Sequence, residues 1–136
     1  MRVLSLLFGL LMLLPFLPLN SVANQLAEFS TDGCSMFPDG TLSNPTLWQA
    51  CCIAHDVAYW QGGTIDNRLT ADNELKACVA KLGQPEIAQL MMLGVRVGGT
   101  PYLPTPFRWG YGWPFPKGYG KLTDIERALV KQKAPR

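Results

Sequence analysis

The residues of this chain whose types and spacing could do chemistry lie together in Cys51-Cys52-Ile53-Ala54-His55-Asp56-Val57-Ala58-Tyr59. The stretch holds two of the four cysteines and the one histidine, with an aspartate directly after that histidine. A helix turns ~100° per residue, so a helical reading puts Trp48, Cys51, Cys52, His55 and Tyr59 on one inward stripe, with Asp56 at its edge. An apolar face then carries a single titratable base with a carboxylate at its rim. The plain alternative is a satisfied core histidine.

A partner for this base stands further along. The Gly62-Gly63 link is so short that the helices on either side of it pack antiparallel. A bond between the neighbours Cys51 and Cys52 is strained, which leaves Cys34 joined to one of them and Cys78 to the other. If Cys51 pairs with Cys78, a rise of ~1.5 Å per residue brings Asp72 to a height between His55 and Tyr59, within reach of one imidazole nitrogen and of the phenol. A carboxylate holding one nitrogen leaves the other free to take a proton from water. The competing reading is an ion pair between Asp72 and Arg68, four residues earlier on the same face. No serine, threonine or cysteine nucleophile stands out beside the dyad, so the base would act on water. If Cys34 bonds Cys52, the Asp32-Gly33-Cys34 loop is tethered near Asp56. Two carboxylates and loop carbonyls make a hard-oxygen site suited to calcium, which would serve as the Lewis acid. Asp39, beside Gly40, reads as a turn former and is left out of the metal shell.

These side chains need elements to hold them. Asn24 to Phe29 is a short lead-in with a helical turn, and Ser30 to Ser43 is a loop rich in turn formers. Asn44 followed by Pro45 predicts an N-cap and first helical position, opening a helix that runs to Gln61. Thr64 or Asp66 opens a second helix ending at Gly83, with Leu69, Leu75, Val79 and Leu82 as its apolar stripe. A third helix runs from Pro85 to Gly98-Gly99, with Leu90, Met91 and Val95 directed to the core. From Thr100 to Gly120, prolines and glycines alternate with aromatic residues, which predicts a loop. In that loop Trp109, Tyr111 and Trp113, with Arg108 and Lys117, fit either a membrane-interface surface or a cap on the core. Thr123-Asp124-Ile125-Glu126 is a capping box for a last short helix, and Lys131 to Arg136 reads as a frayed basic tail.

The N-terminus reads as a targeting segment. Arg2 precedes an apolar run from Val3 to Leu19 broken by Pro15 and Pro18, and Ser21-Val22-Ala23 suits signal peptidase. We therefore expect cleavage after Ala23, an uncleaved anchor being the alternative, and an exported product that is secreted or periplasmic. Residues 24–136 are enough for one domain. The 12 basic and 10 acidic side chains nearly cancel, which argues against nucleic acid. Four cysteines in an exported chain imply two disulfides. Their spacing lacks the paired knuckles of a zinc site.

Cys51-Cys52-Ile53-Ala54-His55-Asp56-Val57-Ala58-Tyr59 resembles the Cys-Cys-x-x-His-Asp-x-x-Tyr signature of secreted phospholipase A2. Asp72 and Cys78 repeat that family's aspartate-to-cysteine spacing, and Thr31-Asp32-Gly33-Cys34-Ser35 with Pro38-Asp39 is similar to the calcium loop of its prokaryotic branch. The resemblance covers residues 31–79. It implies a mostly α fold with two antiparallel disulfide-linked helices at the core, here followed by an irregular Pro/Gly/aromatic segment. It implies the pairings Cys34–Cys52 and Cys51–Cys78, His55 as general base, Asp72 as its partner and Tyr59 as a hydrogen-bond donor to that aspartate. Asp56 would be the principal calcium ligand, completed by the Asp32 carboxylate and Gly33 carbonyl. The implied reaction is calcium-dependent hydrolysis of the sn-2 ester of a phosphoglyceride by a monomer at a phospholipid membrane or micelle surface. Two departures stand out: Ser35-Met36-Phe37-Pro38 replaces the glycine-rich loop, and Ala58 stands where many animal members carry a cysteine. The alternative is a catalytically silent lipid- or protein-binding module on the same scaffold, with the aromatic segment as its binding surface.

Overall fold

A computed structural model describes residues 25–136; the expected signal segment and its cleavage site lie outside the described residues. Four helices and no strand make up the regular structure of the described part: α1 (Gln49–Gln61), α2 (Ile65–Lys81), α3 (Pro85–Gly98) and α4 (Asp124–Lys133). No described helix is long and apolar enough to cross a membrane.

The α1–α2 pair forms where the sequence places it, with one change. The first helix begins at Gln49 rather than Pro45. The Trp48 amide is drawn to the Asp39 carbonyl at 3.0 Å, and Leu47 and Gln49 bond only three residues back, to Asn44 and Thr46. The loop thus competes for the donors of the first turn, and Asn44 to Trp48 become tight turns. Gly62 and Gly63, at φ +69° and +134°, reverse the chain. Thr64 then caps α2, accepting from the Asn67 amide while the Asn67 side chain accepts from the Thr64 amide. Two disulfides, Cys51–Cys78 between the helices and Cys34–Cys52 from the preceding loop, fasten the start of α1. Cys34, Trp48, Cys51, Cys52, Leu75, Val79, Ala88 and Met91 form the core there.

α2 packs against both α1 and α3. Two expected core stripes are narrower than the periodicity suggested. Leu69 of α2 and its C-cap residue Leu82 are 44% and 41% exposed, and Leu90 of α3, 54% exposed, lines a cavity rather than the core.

The segment from Thr100 to Gly120 is irregular, as its prolines and glycines require, and it has a definite task. A helix ends with four carbonyls that lack an intrahelical donor. In α1, Gly62 satisfies Ala58, Gly110 donates to Tyr59 at 2.7 Å, and Gly112 donates to Trp60 at 3.1 Å. The Trp113 indole donates to the Gln61 carbonyl at 2.8 Å, and the Trp109 indole to that of Gly63 at 3.0 Å. Trp109 and Trp113 are buried, so of the two readings for the aromatics the cap on the core holds for both indoles. The lead-in is irregular rather than helical: the Ala27 amide donates to the Gly112 carbonyl, and the Ala27 carbonyl accepts from the Trp60 indole.

α4 opens on the capping box at Thr123 and Glu126 and reaches Lys133, beyond the point where fraying was expected. Lys133 is held by the Leu26 carbonyl and by Glu28.

Gly112 tests this account of the α1 terminus. A Cβ there would stand 2.6 Å from the Trp60 carbonyl and 2.5 Å from the Trp60 ring. Gly112→Ala is expected to cost about 1–3 kcal/mol of stability, read as a lower urea midpoint at unchanged slope.

Candidate functional site

The centre of the site is a carboxylate with no access to water. Asp72 is 0% exposed, and the antiparallel pairing of α1 and α2 sets it against two α1 side chains one turn apart. Asp72 Oδ1 lies 2.8 Å from His55 Nε2 and accepts the Tyr59 hydroxyl at 2.8 Å. Burial by itself would raise the Asp72 carboxyl, but hydrogen bonds from His55, Arg96 and Tyr59 outweigh it and hold the group below the ordinary carboxylate range. Asp72 is therefore an anion and can only accept, so His55 carries its proton on Nε2. Nδ1 is left as an acceptor, with no protein partner among the described residues. The Tyr59 phenol is pushed above its usual range, chiefly by burial, and stays protonated. Its ring stands 4.2 Å from the imidazole and meets Trp109 edge-on at 5.0 Å.

The competing Arg68–Asp72 ion pair is present only as a loose contact at 3.9 Å, too long for a hydrogen bond. Arg68 instead donates to the Tyr59 hydroxyl at 2.9 Å, to the Tyr119 hydroxyl, and to the Val95 and Arg96 carbonyls at the end of α3. The cation bonded to Asp72 is Arg96, whose guanidinium donates to Oδ2 at 2.6 Å. Nothing in the sequence signalled this residue; only the packing of α3 on α2 brings it there.

His55 lines an apolar cavity of about 330 Å³ whose other walls include Phe37, Leu75, Leu90, Met91, Gly94, Val95 and Phe107. Gly94 contributes no side chain, and a Cβ there would meet nothing within 4 Å. Leu90, expected in the core, is a wall of this cavity.

Asp56 faces the cavity from one side and a second pocket of about 220 Å³ from the other, where it is joined by Asp32, Thr31, Ser35 and Tyr111. The Asp56 carboxylate accepts from the Thr31 hydroxyl at 2.6 Å, and Asp32 accepts from Ser35 at 2.6 Å. No lysine or arginine pairs with either acid among the described residues. Gly33 bends the loop at φ +78°, and a Cβ there would stand 2.4 Å from Asp39. The Asp39 carboxylate is occupied by the Cys34 amide and the Gln49 side chain, a structural role. The described side chains contain no group of three or more His, Cys, Asp or Glu placed to hold a metal. A cation at Asp32 and Asp56 would thus draw its remaining ligands from backbone or hydroxyl oxygens. Two carboxylates without a cationic partner and neutral oxygens around this pocket fit a hard divalent ion by donor chemistry.

Comparison of the chain with protein-family models, with curated proteins and with solved structures finds no match. What can be said of the site rests on its own chemistry.

Burial is the main cause that lifts the Asp56 carboxyl from 3.8 to about 6; the Thr31 hydroxyl and His55 oppose it, and the Asp32 charge adds to the rise. The folded chain thus keeps a proton that the unfolded chain releases. Asp56 stabilises the fold below pH 3.8, and this contribution is lost as pH climbs through about 6. In chelator, Asp56→Asn should gain on wild type in urea midpoint over that interval, since the amide keeps the Thr31 bond and never ionises. Parallel profiles would contradict the assignment.

Proposed function

We propose that the protein is an exported hydrolase of phospholipase A2 type that cleaves the sn-2 ester of phosphoglycerides with calcium. The observation that carries this reading is the His55–Asp72 pair, 2.8 Å apart, opening onto an apolar cavity with two unpaired carboxylates beside it. The signature Cys51-Cys52-x-x-His55-Asp56-x-x-Tyr59 supports it, and so do the disulfides Cys34–Cys52 and Cys51–Cys78, which join the halves of the site. Disulfides also suit an oxidising compartment outside the cytosol.

In this mechanism the acyl chain lies along Leu90, Met91 and Val95, which excludes water from everything but the ester. Asp72 holds the imidazole through Nε2, and Tyr59 fixes the carboxylate in turn. Nδ1 of His55 takes a proton from water as the water oxygen bonds to the ester carbonyl carbon. The same proton then passes to the departing glycerol oxygen, giving a free fatty acid and a lysophospholipid. The Asp32 and Asp56 carboxylates and the Gly33 carbonyl would hold calcium. Bound there, calcium would supply positive charge to the phosphate and to the oxyanion.

Release of fatty acid from mixed micelles tests the reading. The oxidised protein should be active with calcium and inactive with chelator, and calcium should raise its melting temperature. His55→Gln should lower kcat by about 10²–10⁴-fold with the fold intact. A wild-type protein that releases nothing from any phospholipid in calcium would refute the enzyme.

The cavity makes a second prediction. Gly94→Leu adds bulk toward open space. It should raise the melting temperature, because glycine costs a helix interior about 1 kcal/mol relative to alanine. Long-chain hydrolysis should fall more than short-chain hydrolysis, measured on esters of graded acyl length. Equal losses on both would place the acyl chain elsewhere.

A further inference from the structure

The dyad uses only one of the two oxygens of Asp72. Oδ1 serves both His55 and Tyr59, at 2.8 Å each, while Oδ2 receives Arg96 at 2.6 Å. The torsion that turns a carboxylate is broad and roughly two-fold, so packing by itself fixes it weakly. A donor on Oδ2 removes that freedom. We propose that Arg96 is a positioning residue for the dyad: by pinning Oδ2 it sets the carboxylate plane and keeps Oδ1 on the imidazole and the phenol. This rests on the hydrolase reading above.

Three observations support it. Arg96 is the nearest cation to Asp72 in the described part, the Arg68 guanidinium standing off at 3.9 Å and bonded to other groups. Its side chain is 32% exposed, whereas Asp72 is fully buried. The pair therefore makes only one end costly to desolvate, and the solvated end approaches from the surface. Arg96 also belongs to the last turn of α3, the helix that supplies Leu90, Met91, Gly94 and Val95 to the cavity. One ion pair thus ties the wall against which an acyl chain would rest to the carboxylate that orients the base. A shift of α3 would change both together.

A plain stabilising ion pair between α2 and α3 is the competing explanation, and it differs in what it touches. On a soluble short-chain ester, Arg96→Gln should lower kcat about tenfold or more with KM within about twofold, as expected of a misplaced base. Arg96→Lys, which keeps the charge without the fork, should recover part of the loss and serves if the glutamine variant folds poorly. Against Asp72→Asn, Arg96→Gln should cause no further loss, because its effect passes through that carboxylate. The chain has one histidine, so a hydrogen-bonded imidazole N–H proton in the NMR spectrum belongs to His55. In calcium-free wild type at fixed pH that resonance should be sharp and far downfield, and in Arg96→Gln broadened or shifted upfield. A lower melting temperature with kcat and the N–H resonance unchanged would overturn the proposal, as would equal losses in the presence and absence of the Asp72 carboxylate. If wild type hydrolyses nothing while the resonance still responds to Arg96, the hydrolase reading fails and the positioning of Asp72 stands.

Discussion

A buried negative charge constrains the centre of this protein. Asp72 has lost all contact with water, and an anion in that position must be surrounded by donors or it would be protonated. His55 and Tyr59 come from α1 and Arg96 from α3, while Asp72 itself sits on α2. Two helices are thus required to present particular side chains to one carboxyl group on a third. The arrangement also fixes the tautomer: with Asp72 anionic, the imidazole proton facing it must lie on Nε2, and the ring lines the cavity. Arg68 adds a further layer, donating to the Tyr59 oxygen so that the phenol proton is left for Asp72. That guanidinium also takes up carbonyls at the end of α3, so the helix terminus and the tyrosine share one support.

The aromatic segment solves a different difficulty. α1 ends in a glycine pair that reverses the chain, which leaves its last carbonyls without donors inside the helix. Backbone amides of Gly110 and Gly112 and the indole of Trp113 supply them, while the Trp109 indole takes the Gly63 carbonyl in the turn that follows. Glycine is needed where backbone meets backbone, and tryptophan offers a donor on a large apolar ring. The segment also contributes to the site: Trp109 stands edge-on against Tyr59 and keeps that ring beside His55. Gly99, next to the end of α3, leaves the space the tyrosine occupies, a Cβ there falling 2.7 Å from its hydroxyl.

Beside the dyad the electrostatics change character. Asp72 is surrounded by donors, while Asp56 and Asp32 share a pocket with hydroxyl groups and no cationic side chain. Burial, with a smaller push from the Asp32 charge, leaves Asp56 hard to ionise. His55 connects the two acid sites, bonded to Asp72 and lining the cavity that Asp56 also faces. The apolar cavity exists for a related reason: α3 presents Gly94 where a larger side chain would fill the space, and the leucine at 90 lines the opening rather than the core.

The sequence by itself determined the local grammar. Glycines at 62, 63 and 83 stop or turn helices because they accept positive φ, and the threonines at 64 and 123 cap because a hydroxyl can take an orphan amide. Helical periodicity placed His55 and Tyr59 on one face, and the spacing to Cys78 along an antiparallel partner set the height of Asp72. Tertiary structure alone decided the rest. Asn44-Pro45 has good local chemistry for a helix start, yet Asp39 captured the Trp48 amide and moved the start to Gln49. Leu69, Leu82 and Leu90 match core periodicity, yet Leu69 and Leu82 stay exposed and Leu90 lines the cavity, since periodicity identifies an apolar face and says nothing of whether a neighbour covers it. The partners of Asp72 and Asp56 that were missed, Arg96 and Thr31, are separated from them by more than twenty residues. Such contacts arise only when whole helices and loops settle against one another, and no local pattern encodes them.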